Sequence, residues 1–279
     1  MSEESASVIG IIAGGGRFPI MAAAAAREKG LKVVAVAHLG ETDPALESAA
    51  DEIVWVKLGQ LGQVIKALKR HDVRQALMAG TITKRRMFEG IRPDLRGLAL
   101  ASKLALFHDD DILRAVSREF AKDGIEIVPS TTFLPGLVAP GGCLTRRKLS
   151  RGELEDVRCG WRIAKELGRL DIGQCVVVRE KAVLAVEAID GTDATIRRGG
   201  GIAGERAVVV KVSKPTQDLR FDMPTVGLQT IELMAEVRAA VLAVEAGKTL
   251  MFDREAMIAK AEKAGIKIVS FEAGEMDRA

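Results

Sequence analysis

Four short apolar runs in the first eighty residues alternate with helix-forming segments, and nothing else in the sequence restricts the fold as much. The runs are Val8–Ala13, Leu31–Ala37, Ile53–Val56 and Ala76–Ala79. Each is too short for a helix and rich in Val, Ile or Ala, so each reads as a buried strand. Between them lie an alanine-rich stretch from Met21 to Lys29 and a helical pattern over Leu61–Arg70. Strands joined through helices pair in parallel and need cover on both faces. A further helix, Ile112–Lys122, leads to a fifth strand at Glu126–Val128. The expectation is an α/β chain that opens with a Rossmann-like parallel sheet.

The first strand runs into Gly14, Gly15 and Gly16, and Pro19 suits the first turn of the helix that follows. Backbone N–H groups at such a helix start attract anions, so the turn is a candidate for a phosphate or ribose. Small residues there also let a helix pack closely on a strand, and the sequence leaves both readings open. It does not predict NAD. A dinucleotide fingerprint asks for glycine where Pro19 stands and for an acid where His38 ends the second strand. Ligands of open α/β sheets sit at the carboxyl ends of strands, which makes Thr81, Thr83, Lys84 and Arg85 candidate contacts. His108–Asp111 looks like a metal cluster, but Asp109 or Asp110 better suits the cap of the helix from Ile112.

Residues 129–142 (PSTTFLPGLVAPGG) hold three prolines and three glycines, which cannot continue a helix and mark a linker. The predicted domains are 1–134, Rossmann-like, and 135–279, α+β. The second half opens on a capping box, Ser150-x-x-Glu153, before a helix to Leu167. Gln174–Val178 and Val183–Ile189 form a hairpin. A short helix over Thr192–Arg198 is expected to end at Gly199–Gly201. Strands at Ala207–Val212, Val241–Val244 and Ile266–Phe271 and helices at Thr230–Ala239 and Asp253–Ala264 complete the domain.

The chemistry concentrates between Val183 and Gly227. That stretch carries Glu187, Asp190, Asp193 and Asp222 beside Arg197, Arg198, Lys214 and Arg220, on turns framed by the apolar runs VLAVEAI and AVVVKV. Carboxylates can hold a hard metal ion, and cations with backbone N–H groups can neutralise phosphate oxygens. Any one of these residues, taken alone, reads equally as a solvated surface charge. Other chemistries fit less well. The chain has three histidines, no tyrosine and no G-x-S-x-G elbow, which argues against nucleophilic acyl transfer. Cys143, Cys159 and Cys175 match no metal spacing. A net charge of +3 and two tryptophans do not suggest nucleic acid. No apolar run approaches the roughly 20 residues of a membrane span, and MSEESASVIG lacks the basic region of a secretory signal, so a cytoplasmic protein is expected.

Six segments carry a resemblance: IAGGGRFP (12–19), DDDILRAV (109–116), GRLDIGQCVVV (168–178), VLAVEAIDGTDATIRRGG (183–200), KPTQDLRFDMPTVG (214–227) and AVEAGKTLMFDR (243–254). In this order and spacing the chain resembles, over nearly its whole length, the LpxI family, the UDP-2,3-diacylglucosamine pyrophosphatases of lipid A biosynthesis in Gram-negative bacteria. The resemblance implies hydrolysis of the substrate's pyrophosphate bond to UMP and 2,3-diacylglucosamine 1-phosphate (lipid X), with a divalent cation, typically Mg²⁺. It implies water attacking the uridine-side phosphorus and a substrate held between two domains. The residue set is consistent with this, since such hydrolysis needs charge neutralisation and an oriented water rather than histidine or serine.

The resemblance places Asp222, in RFDMP, as the essential acid, in metal ligation or in orienting the water. Glu187, Asp190, Asp193 and Asp218 are implied as possible helpers at the metal. Arg197, Arg198 and Lys214 are implied at the phosphates, with Thr192 and Gln217 beside them, and the Gly14–Gly16 turn and Thr81 at the nucleotide. The partners implied are a lipid-linked UDP-sugar and, through it, peripheral contact with the inner membrane; a homodimer is compatible with the sequence. The rival reading is a nucleotide- or lipid-responsive regulator without turnover, for which a group of carboxylates has no use.

Overall fold

The computed structural model describes residues 7–82, 92–103, 109–272 and 274–276. The chain divides into two compact units, Met1–Pro135 with Asp218–Phe221, and Gly136–Gln217 with Asp222–Ala279.

The first unit is built on a five-stranded parallel sheet. Its elements are β1 (Val8–Ala13), α1 (Phe18–Glu28), β2 (Lys32–His38), α2 (Leu46–Ala49), β3 (Glu52–Val56), α3 (Leu61–Arg70), β4 (Gln75–Ala79), α4 (Leu95–Lys103), α5 (Asp109–Lys122) and β5 (Glu126–Ile127). The strand order is β3-β2-β1-β4-β5, with every neighbour parallel. Alternation along the strands supplies two cores. Ile9, Ile11, Val33 and Ala35 meet Ala22, Ala23 and Ala26 of α1. Val34, Val36 and Ala76 meet Val64, Ile65 and Leu68 of α3 and Phe120 of α5. Gly10 lets α3 approach: a Cβ there would lie 2.8 Å from Leu68 Cδ2. Asp109 and Asp110, expected as caps of a helix starting at Ile112, instead lie inside the first turn of α5. Acids still suit that helix end.

Asp218–Phe221 belongs to this unit although the chain before and after it does not. Phe221 packs against the α3-side core. The Arg220 carbonyl accepts from the Ser130 N–H at 2.9 Å.

The second unit holds α6 (Arg151–Arg169), α7 (Gly191–Ala203), α8 (Leu228–Glu236) and α9 (Arg254–Ala264) around a mixed six-stranded sheet. The strands are β6 (Gly142–Cys143), β7 (Cys175–Arg179), β8 (Ala182–Val186), β9 (Val208–Lys211), β11 (Val241–Glu245) and β13 (Lys267–Phe271), in the order β6-β13-β11-β9-β7-β8. β13, β11 and β9 are parallel, while β7 runs antiparallel to β9 and to β8. β10 (Thr225–Val226) and β12 (Leu250–Met251) form a separate parallel pair. The capping box of α6 is formed: Ser150 Oγ accepts from the Glu153 N–H, and Glu153 Oε2 accepts from the Ser150 N–H at 2.7 Å. Val157, Trp161 and Ala164 of α6 cover one face of the sheet. Ile196 of α7, Ile231 and Met234 of α8 and Met257 of α9 cover the other.

The predicted end of a helix at Gly199–Gly201 does not occur. α7 runs through all three glycines and stops at Gly204, whose φ of 73° is left-handed. The reason is packing. A Cβ on Gly199 would lie 2.5 Å from Val177 Cβ of β7, and one on Gly200 would lie 2.4 Å from Val237 Cβ. The glycines thus let α7 press against both neighbours, at a cost of about 1 kcal/mol each in helix propensity.

Candidate active site

In the second unit, the carboxyl ends of β9 and β11 gather charged residues on both faces of the sheet. On the α6 face, Glu245 ends β11 with 1 % of its surface exposed. Its Oε2 accepts from Lys165 Nζ at 2.6 Å, Ser213 Oγ at 2.8 Å and the Ser213 N–H at 3.1 Å, and its Oε1 pairs with Lys248 at 2.8 Å. Burial alone would raise its pKa, but the hydrogen bonds from Lys165 and Lys248 outweigh that and hold the carboxyl below its usual range.

The loop leaving β9 carries the motif KPTQD. Lys214 Nζ pairs with Asp171, so this cation is already engaged. Gln217 is clamped in the loop: its Oε1 accepts from the Lys214 N–H at 2.9 Å and its Nε2 donates to Asp222 Oδ2 at 2.6 Å. That hydrogen bond orients the Asp222 carboxylate on a partly exposed loop.

On the opposite face, Glu187 is turned inward. Its Oε1 accepts from Thr192 Oγ1 at 2.6 Å and its Oε2 from the Gln174 N–H at 3.0 Å. Gly173 makes room, since a Cβ there would sit 2.2 Å from the Glu187 carbonyl. Asp190 pairs with Arg198, whose guanidinium also donates to the Val186 carbonyl at 2.9 Å. That ion pair holds the Asp190 carboxyl below its ordinary pKa. Arg197 is exposed. Cys175 lies beneath this group; burial, then the charge of Glu187, pushes its thiol up to about 12. It is an inert core thiol.

In the first unit, Asp218 pairs with Arg220 at 2.7 Å and with Arg114 at 3.8 Å. The glycine turn is knitted to the end of β4: the Gly14 N–H donates to the Ala79 carbonyl at 2.8 Å, the Gly15 N–H to the Thr81 carbonyl at 2.7 Å, and Thr81 N–H returns to the Gly15 carbonyl at 3.1 Å. Two of the three glycine N–H groups are thus occupied by protein. A Cβ on Gly14 would lie 2.6 Å from the Thr81 carbonyl, so close packing explains that glycine. Thr83, Lys84 and Arg85 lie outside the described residues.

Asp222 and Gln217 are thus brought together, as are Glu187 with Thr192 and Asp190 with Arg198. Glu187, Asp190 and Asp218 are each committed to other partners, and among the described residues no three His, Cys, Asp or Glu side chains gather to hold a metal. Two members of the region were not anticipated. Glu245 is one. The other is Lys211, 9 % exposed at the end of β9, whose Nζ donates to the Thr225 carbonyl at 2.8 Å. Their one sequence signal is a charge inside an apolar strand run, AVVVKV or VLAVE, where it must be paired or functional.

His38, which stands where a dinucleotide site would have an acid, is also buried. Its Nδ1 lies 2.8 Å from the Ala13 carbonyl. A carbonyl only accepts, so Nδ1 carries a proton. Burial lowers its pKa, against smaller opposing effects of that hydrogen bond and of Glu41. A lowered histidine pKa contributes stability above the unfolded value of about 6.5, lost as pH falls through the folded value. The melting temperature of the first unit should therefore drop on acidification below about pH 6.5. His38→Gln should flatten that slope; an unchanged slope would remove His38 as its source.

The LpxI N-terminal domain model matches residues 8–137 and the LpxI C-terminal domain model matches residues 140–269. The UDP-2,3-diacylglucosamine pyrophosphatase LpxI of Caulobacter vibrioides is 36 % identical over 274 residues, covering 94 % of this chain and 96 % of that protein. The chain belongs to the LpxI family. Both LpxI domain models fall almost entirely within one compact unit each, and the LpxI-like segments 214–227 and 183–200 supply the clamped Asp222 and the Glu187 group. Solved structures add no argument. A complete multifunctional pyruvate carboxylase from Rhizobium etli aligns at 16 % identity over 50 % of this chain and 14 % of its own, with a TM-score of 0.29. The biotin carboxylase domain of a single-chain bacterial carboxylase aligns at 16 % identity over 66 % and 38 %, with a TM-score of 0.27.

Proposed function

We propose that this chain hydrolyses the pyrophosphate bond of UDP-2,3-diacylglucosamine to UMP and lipid X. The reading rests on the full-length relationship to a protein named for that activity, and one structural observation carries it: a carboxylate, Asp222, held by Gln217 inside one of the segments that carry the family resemblance. A dissociative phosphoryl transfer asks the protein for positioning and charge neutralisation rather than a nucleophile. Asp222 orients the attacking water or anchors a cation, with water attacking the uridine-side phosphorus. Arg197, Lys211 and Lys214 balance the charge of the diphosphate, Lys214 by sharing itself with Asp171.

The donor set fits Mg²⁺ in one manner. Mg²⁺ is commonly held by one or two carboxylates, with substrate phosphates and waters completing the shell, and Asp222 offers one such carboxylate. Glu187, Asp190 and Asp218 are spoken for by Thr192, Arg198 and Arg220. When bound, the cation would neutralise charge on the diphosphate oxygens.

The test is turnover of UDP-2,3-diacylglucosamine in detergent, with Mg²⁺ or with EDTA, following UMP and lipid X. Release of both products with Mg²⁺ and its loss in EDTA is expected. Equal release in EDTA would remove the metal from the proposal. Saturable binding without release would make the protein a binder of the lipid nucleotide.

A further inference from the structure

No helix among the described residues is long and apolar enough to cross a membrane. One short helix nevertheless carries its leucines outward. In α4, Leu95 is 87 % exposed and Leu98 is 56 % exposed, and no other large apolar side chain of the first unit reaches the exposure of Leu95 among the described residues. The helix does have an inner face. Leu100 packs against the α3-side core, and Gly97 sits so close to the Gly59 carbonyl that a Cβ would lie 2.1 Å from it. At 100° per residue, Leu95 and Leu98 lie on the side opposite Gly97 and Leu100, together with Ala99 and Ser102. Among the described residues, the leucines are therefore not the edge of a core.

Basic side chains flank them. Arg96, on the side of α4 toward α3, lines a cavity of about 470 Å³ with Lys66, Lys69 and Arg70 of α3. Asp123 neutralises part of this set, pairing with Lys69 at 2.9 Å and with Arg96. Glu119 and Asp94 also act on Arg96, and Lys122 pairs with Glu119, so among the described residues five cations around the groove face three acids, an excess of two positive charges. A water-exposed leucine pair costs solubility, and a basic groove beside it repels a second copy of itself. An anionic lipid surface satisfies both features: the leucines enter the headgroup–acyl boundary while the cations meet lipid phosphates.

We propose that the outer face of α4, with Leu95 and Leu98 inserted and Lys66, Arg70 and Arg96 beside them, seats the first unit on an anionic bilayer. Neither signal is strong alone, so the binding is reversible and needs both. The proposal does not depend on hydrolysis, and its failure leaves the proposed reaction untouched.

The experiment is flotation of the full chain with vesicles of phosphatidylcholine alone or with one third phosphatidylglycerol. Wild type should float with the anionic vesicles, release at high salt, and remain largely free with phosphatidylcholine. Leu95→Ser with Leu98→Ser should weaken binding at least about tenfold, as should Lys66→Glu with Arg70→Glu, at about 1 kcal/mol per surface charge. Both variants should keep the wild-type melting temperature and circular dichroism, which shows that they fold. Variants that float like wild type, or a wild type that ignores the anionic lipid, would overturn the proposal. So would conversion of a wild-type dimer to a monomer by the leucine substitutions, because the face would then be a contact between copies.

Discussion

Replacing Asp222 with alanine is expected to lower kcat on UDP-2,3-diacylglucosamine by about a hundredfold or more, the loss that follows when a central electrostatic group leaves a site of this kind. The fold should survive. Asp222 is partly exposed on a loop, and it accepts a hydrogen bond from Gln217, which keeps its other bond, from the Lys214 N–H. A loss of about 1 kcal/mol in stability covers one such hydrogen bond. Gln217→Ala should lower kcat less, because it frees the carboxylate without removing it. The pair of measurements separates position from presence. An Asp222→Ala protein that keeps more than about a tenth of kcat would take Asp222 out of the chemistry.

The second large effect is on stability. Lys165→Met should destabilise the C-terminal unit by about 2–3 kcal/mol, below the usual range for breaking a buried pair because Lys248 and Ser213 still face Glu245. Lys165 Nζ also lies 5.9 Å from the Trp161 ring centroid, so the loss reports the charge in both contacts. The melting temperature should fall by roughly 5–10 °C. Adding Glu245→Gln should recover much of that, since an amide needs no cation. The same network sets an acid limit. The Glu245 carboxyl is held below its normal range, so its contribution is present above the unfolded pKa near 4.5 and fades as pH falls through the folded value. If Lys165→Met melts like wild type at neutral pH, Glu245 does not depend on that lysine.

The parallel sheet of the first unit was legible because its signals are local. Each strand is a short apolar run, each helix a periodic one, and Pro19 and Ser150 mark helix starts by their own backbone chemistry. The course of α7 through three glycines was not legible, because only Val177 and Val237, distant in sequence, show why glycine is needed there. The same holds for the glycine turn. Its sequence offered an anion site or close packing, and the Ala79 and Thr81 carbonyls, sixty-odd residues away, occupy two of its N–H groups. At the candidate site, Asp222 and its motif stood out by resemblance. Glu245 and Lys211 did not, because a charge at the end of an apolar strand becomes meaningful only when Lys165, Ser213 or the Thr225 carbonyl is seen against it.

Four residues give the chain an unusual bookkeeping of halves. Asp218–Phe221 is folded into the N-terminal unit, with Phe221 in its core, although the residues on either side belong to the C-terminal one. No single cut in the proline-rich linker can therefore yield two complete pieces. A fragment ending at residue 135 would lack the phenyl ring that helps fill its core, and a fragment starting at 136 would carry that ring into water on a short loop. Phe221 is partly buried, so the N-terminal fragment forfeits less than the roughly 2 kcal/mol of a fully buried phenylalanine. Insertions and fusions should spare this loop.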